Sequence, residues 1–222
     1  MDYKGTLDLI ETQLEGESHL DELAKKKQNP FKILISTILS ARTRDANTKI
    51  ASEELFAKFN TPNAIASAKT EEIETLIRAS GFYKVKAARI KEVSQELIDK
   101  YNSKVPDNYD ELIGLPGVGS KTANCVLVYA FKIPAIPVDT HVHKISNRLG
   151  WVKTKSPEKT EHSLRNKIPR ELWLNLNRSL VRFGQQVCKP INPSCNICVI
   201  NDVCPKDFSM ELAKKEKKKK SK

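Results

Sequence analysis

Leu112 to Phe131, LIGLPGVGSKTANCVLVYAF, reads as a short helix, a tight turn and a second helix. The turn is Leu115, Pro116, Gly117, Val118 and Gly119. Its glycines admit backbone conformations closed to other residues. The helix that follows opens with N–H groups that have no intrahelical acceptor and can hold a phosphate, with Ser120 beside them. The placement matches a helix-hairpin-helix, which grips the DNA backbone without reading bases. The plainer alternative is a glycine turn that only joins two packed helices.

Helical period continues on both sides of this stretch. Pro30 to Arg42 carries Phe31, Ile33, Leu34, Ile35, Ile38 and Leu39, too apolar all round for a surface helix, and is expected to be central. A helix from about Asn47 to Lys58 is expected, with Leu55, Phe56 and Phe59 along one face. Thr61-Pro62 and Ser156-Pro157 each place a capping hydroxyl before a proline at the first helical position. Thr70 with Glu71 and Glu72 opens another helix, which Gly81 is expected to close. Lys84 to Tyr101 reads as a long amphipathic helix with Val85, Ala88, Val93, Leu97 and Ile98 on its apolar side. Only Ile133 to Val138, between prolines, looks extended, and no alternation supports a sheet. The fold class is all-α.

A chain of 222 residues with 39% hydrophobic content can build a core in one large domain or two small ones. No apolar run reaches the about eighteen residues needed to cross a bilayer. The longest, around Val126 to Ala130, is far shorter, so an intracellular, soluble protein without a membrane partner is expected. Of the formal net charge of +11, the last thirteen residues carry +5, as seven lysines against two glutamates. The remaining +6 still favours a polyanion, most simply nucleic acid. The tail alone can equally be a solubilising end.

Lys121 lies in the first turn of the helix after the hairpin. There the positive end of the helix dipole, and partial desolvation against an apolar helix, both work against its charge. Two readings stand side by side: a neutral amine, which is a nucleophile, and an ordinary phosphate-contacting lysine. Eighteen residues later Val138-Asp139-Thr140-His141 opens a further helix. Alone, Asp139 reads best as an N-cap. Beside a DNA-holding hairpin and a candidate nucleophile, it also reads as a carboxylate that stabilises positive charge at a sugar. His141 and His143 are two apart, on different helical faces, and make a poor metal pair. One is expected to face DNA or solvent and the other to pack.

Cys188, Cys195, Cys198 and Cys204 stand with gaps of six, two and five residues, and only Cys125 lies outside them. Zinc sites usually pair two short chelating hooks, and here only Cys195 and Cys198 make one. The single flanking cysteines favour a [4Fe-4S] cluster held by four thiolates over zinc. A disulfide pair of pairs is disfavoured, because no signal peptide marks the chain for an oxidising compartment.

Taken together, Leu115 to Asn124, Val138 to His141 and the four-cysteine loop resemble, in order and spacing, the endonuclease III family of DNA glycosylases, over nearly the whole chain. The resemblance implies two helical domains with a DNA cleft between them. These are a six-helix barrel over about 22–132, with its helix-hairpin-helix at about 108–131, and a cluster domain made of 1–21 plus 133–208, followed by a basic tail, 209–222. It implies a [4Fe-4S] cluster that chiefly orders a basic loop, with Lys189 as a phosphate contact. It implies a monomer acting on double-stranded DNA that contains damaged bases or abasic sites. Carried over residue by residue, Lys121 is the nucleophile and Asp139 the carboxylate that assists it. The damaged base leaves the stack. A Schiff base forms at C1′, and β-elimination cuts the 3′ side. Relatives that only remove a base have another residue at the lysine position, so a bifunctional glycosylase and AP lyase acting on oxidised pyrimidines is expected.

Two positions depart from the family pattern. In Ser40 to Asp45, resembling the loop that fills the hole left by the flipped base, Arg42 stands where bacterial members commonly have Gln. In Ser80 to Tyr83, resembling the segment that supplies an apolar wedge, Phe82 stands where Leu is usual. Arg pairs well with guanine acceptors, and an aromatic ring can wedge a base step. A uracil or thymine mismatch glycosylase and a non-catalytic, redox-sensing DNA-binding protein remain as alternative functions.

Overall fold

The computed structural model describes residues 2–26 and 29–209, and its regular elements are helices. In chain order they are α1 (Tyr3–Thr12), α2 (His19–Lys25), α3 (Pro30–Ser40), α4 (Asp45–Lys58), α5 (Pro62–Ser67), α6 (Thr70–Leu76), α7 (Tyr83–Tyr101), α8 (Tyr109–Gly114), α9 (Ser120–Phe131), α10 (Thr140–Arg148), α11 (Pro157–Arg165) and α12 (Trp173–Gln186). Among the described residues there is no strand, and no helix is long and apolar enough to cross a membrane. The Ile133–Val138 stretch is irregular chain. The lysine-rich tail from Met210 onward lies outside the described residues.

Several starts follow from their caps. Thr61 Oγ1 accepts from the Ala64 N–H at 3.2 Å and Ser156 Oγ from the Lys159 N–H at 3.4 Å, each ahead of a proline at the first helical position, as the sequence predicts.

The chain divides into two compact units, Glu17–Ala135 and Met1–Gly16 with Ile136–Lys222. A boundary at residue 22 would cut α2, which packs on α3, α4 and α9 and so goes with them. In the first unit α3 is central. Phe31 and every residue from Ile33 to Leu39 are buried, and α2, α4, α7 and α9 surround the helix. Each large apolar side chain sequestered there contributes about 1.5–3 kcal/mol. In the second unit Leu7 and Ile10 of α1 pack with Val142 and Ile145 of α10 and with Leu176, Leu180 and Phe183 of α12. Arg182 Nη1 lies 3.3 Å from Glu11 Oε2, tying α12 to α1.

Two expectations about the 70–101 region are corrected. Gly81 does not close the helix begun at Thr70: α6 ends at Leu76 with Ile77 as its cap. Instead Gly81 N–H donates to Thr43 Oγ1 at 3.0 Å, and a Cβ there would lie 3.0 Å from the Arg42 carbonyl oxygen. The apolar stripe of α7 is also offset. Lys86, Ala87, Ile90, Val93, Ser94 and Leu97 are buried, whereas Ala88 is exposed and Val85 is 65% exposed. The spacing 86, 90, 93, 97 is a helical face, but it runs through a lysine, and residue type alone phases the helix wrongly.

The Lys86 amine is accommodated because it meets oxygen. Nζ donates to the carbonyls of Leu39 at 2.6 Å and Ala41 at 2.7 Å, to Ser80 Oγ at 2.8 Å and to Thr43 Oγ1 at 2.9 Å. Burial lowers this amine from its ordinary 10.5 to about 8, which leaves it mostly protonated at neutral pH. Between those two values the unfolded chain holds a proton that the folded chain has released, so raising the pH across the window favours the folded state. The denaturation midpoint of the native chain, measured relative to Lys86→Met, is therefore expected to rise between pH 8 and pH 10.5. A fall across that window would mean that the folded state favours the charge more than water does.

Candidate active site and cysteine cavity

The helix-hairpin-helix forms as α8, a turn and α9. Gly117 has φ of +66°, the left-handed region that glycine enters freely, and a Cβ at that position would run into the Arg89 side chain. Gly119 is the N-cap of α9 and supplies no side-chain oxygen to the amides of the first turn, which have no intrahelical acceptors. Ser120 and Lys121 are the first two residues of α9, where the helix dipole presents its positive end. Lys121 is half-buried, and behind it Ala123 to Tyr129 are buried.

Asp139 belongs to the other compact unit and is the N-cap of α10, with Oδ1 accepting from the Val142 N–H at 2.9 Å. Oδ2 takes no part in that cap, so capping fixes the carboxylate and leaves one oxygen for other work. His143 is buried with Nδ1 2.6 Å from Thr160 Oγ1. His141 is half-buried and its Nδ1 is buried without a hydrogen-bond partner among the described residues. His143 packs inside the unit, and the His141 ring lies against Gly184, where a Cβ would collide with it.

Cys188, Cys195, Cys198 and Cys204 line one pocket, together with Arg148, Lys206, Phe183, Phe208 and other residues. Among the described residues no three His, Cys, Asp or Glu side chains converge as a single ion requires. Burial pushes the thiols of Cys188, Cys198 and Cys204 up. Arg148 opposes this at Cys188, its Nη1 donating to the sulfur at 3.2 Å. The same guanidinium donates to the carbonyls of Cys188, Lys189 and Pro190 and stacks on Phe208 at 5.1 Å. Lys189 is itself exposed. Thiolates in such a pocket need positive counter-charge, which Arg148 supplies beside Cys188 and Lys206 beside Cys198 and Cys204.

Arg42 and Phe82 are brought together. The guanidinium carbon lies 5.8 Å from the centre of the Phe82 ring, Phe82 is 63% exposed, and both residues have left-handed backbones, with φ of 51° and 58°. Arg148 and Lys86 were not among the residues singled out from the sequence; each is a charged residue at a position of an otherwise apolar helical stripe, and nothing local says that it is buried.

The sequence pattern of the HhH-GPD superfamily base excision DNA repair proteins matches residues 35–170. Endonuclease III of Thermotoga maritima is 54% identical over 179 residues, covering 81% of this chain and 84% of that protein. A solved structure of a trapped endonuclease III–DNA covalent intermediate, with an estranged adenine, superposes with a TM-score of 0.77 at 41% identity, over 84% of this chain and 92% of the other. A thermostable thymine-DNA glycosylase superposes at 0.76 with 25% identity, over 93% of each chain. The chain belongs to the endonuclease III family of DNA glycosylase/AP lyases, within the HhH-GPD superfamily of base excision repair proteins.

Proposed function

We propose that this DNA glycosylase and AP lyase excises oxidised pyrimidines through a Schiff base on Lys121, acting as a monomer inside the cell. The observation that carries the reading is a lysine in the first turn of α9, directly after a glycine turn suited to a DNA phosphate. Once the damaged nucleotide has left the stack, the Lys121 amine attacks C1′ and the glycosidic bond breaks, the base leaving with the bonding electrons. The sugar ring opens to an imine on Nζ. Loss of a C2′ proton then expels the 3′ phosphate and cuts the strand on that side. Asp139, held by its capping bond, stabilises the positive charge that develops at the sugar as the base departs.

Gly117, Gly119 and Ser120 hold the backbone phosphate, with Lys189 and His141 as further DNA contacts. Arg42 fills the space of the extruded nucleotide and Phe82 wedges the neighbouring step. Cys188, Cys195, Cys198 and Cys204 hold a [4Fe-4S] cluster. All four line one pocket, and their spacing, one short hook with two single flanking cysteines, favours a many-atom cluster over a lone zinc ion. The cluster supplies a rigid, charge-balanced anchor for the 188–204 loop.

Substituting Lys121→Gln is expected to abolish borohydride trapping of the protein on damaged duplex DNA and to lower strand cleavage by more than about a thousandfold. Duplex binding, measured by fluorescence anisotropy, should persist, and trapping that survived in this variant would remove Lys121 from the mechanism. For the cysteines, Cys198→Ser should lose the visible absorption of the cluster and bind duplex DNA more weakly. A soluble Cys198→Ser protein that kept both would show that Cys198 is no ligand.

A second reading is favoured by Arg42, whose guanidinium suits an opposite guanine, and by the likeness to the thymine-DNA glycosylase. Excision of thymine glycol faster than of thymine opposite guanine is the expected result in competing kinetics. The reverse order would make the chain a mismatch glycosylase.

A further inference from the structure

The loops bearing Arg42 and Phe82 meet on one buried amine. Resting on the proposal that these two side chains enter the duplex, we propose that Lys86 is the positioning residue that locks both loops into a single two-pronged probe. Four of the groups that Nζ reaches come from the two loops and from the helix end before them. Leu39 and Ala41 offer carbonyls at the C-terminus of α3, Thr43 lies just beyond Arg42, and Ser80 lies just before Gly81 and Phe82. A protonated amine has three N–H donors, and all of them have acceptors within reach.

The loops are also stitched to each other. Thr43 Oγ1 accepts from both Lys86 Nζ and the Gly81 N–H, and Ser80 Oγ donates to the Leu39 carbonyl at 3.0 Å. Gly81 permits this approach, since a Cβ would crowd the Arg42 carbonyl at 3.0 Å.

Arg42 and Phe82 flank this network with positive φ, a conformation that non-glycine residues adopt rarely. Such strain persists where the surroundings over-determine it. The buried network fixes the backbone on either side of each tip, so the two side chains are presented at a set separation, 5.8 Å from guanidinium to ring centre. Lys86 lies on α7 beneath both loops and, at 7% exposure, is not itself placed to touch DNA.

The test compares two substrates that share the sugar chemistry and differ in whether a probe is needed. Borohydride trapping is measured on a duplex with an aldehydic abasic site and on the same strand alone. Wild type should trap the duplex in preference. Lys86→Met should lower the duplex to single-strand ratio by about tenfold or more, the scale of a misplaced positioning group. Thr43→Val should lower it in the same direction, and Thr43→Ser, which keeps the hydroxyl, should restore it. These threonine variants carry the test if Lys86→Met fails to fold.

In an Arg42→Ala/Phe82→Ala background, Lys86→Met should have no further effect on the ratio, because the groups it positions are gone. A second readout is the fluorescence of 2-aminopurine opposite a tetrahydrofuran site, which reports unstacking on insertion and should rise less with Lys86→Met. Equal losses on both substrates, or an undiminished effect in the double-alanine background, would assign Lys86 to general stability and overturn the proposal. Wild type that trapped neither substrate would overturn the functional reading, and the proposal with it.

Discussion

A helix buried on every side must dispose of the polar groups at both its ends, and α3 is such a helix. Its first-turn N–H groups meet Asn29, whose Oδ1 accepts from Phe31 N at 2.9 Å. Its last carbonyls are met by Ser80 and by the Lys86 amine. An unpaired buried carbonyl costs about 1–3 kcal/mol, and an unpaired buried ammonium costs more. Here each is the other's partner, and neither arrangement would stand alone. The packing of α2, α4, α7 and α9 around α3 therefore depends on a polar contact at its end as well as on its apolar length. The loops that leave that end inherit the geometry of the contact.

In the other compact unit one short helix performs a comparable service. α10 runs nine residues, about 13.5 Å at the usual rise. Asp139 caps its start, and Arg148 is its last residue. The buried guanidinium gathers the carbonyls of Cys188, Lys189 and Pro190 and the Cys188 sulfur, placing positive charge at the negative pole of the helix. Val142 and Ile145 lie between, in the core with Phe183. A carboxylate at one end and the wall of the cysteine cavity at the other are thus fixed to the same rigid rod.

Much of this was legible in the sequence because it rests on local rules. The hairpin glycines, the Thr61 and Ser156 caps and the largely apolar Pro30–Ser40 run act within one or two turns, and each forms as its residue types dictate. The four cysteines announced a shared pocket by spacing alone. Lys86 and Arg148 were not legible, because their burial is decided by what the fold brings to them: carbonyls 40 or more residues away in sequence in each case. A lysine in an apolar stripe reads as an error of phase until its acceptors are known. Gly81 failed for the same reason, since the contact that requires a glycine there is with Arg42 rather than with its own helix.

Lys86 and Lys121 stand at helix ends of opposite polarity, the amine of Lys86 at the C-terminus of α3 and Lys121 in the first turn of α9. At the C-terminus of α3, an ammonium faces carbonyl oxygens carrying partial negative charge, so the proton is useful and the residue is structural. At the N-terminus of α9 the dipole has the other sign. Chemistry at a sugar carbon needs the amine lone pair, which only the unprotonated form possesses. The end of α3 thus suits a lysine that holds two loops in place through its N–H donors, even though burial there lowers its hold on the proton.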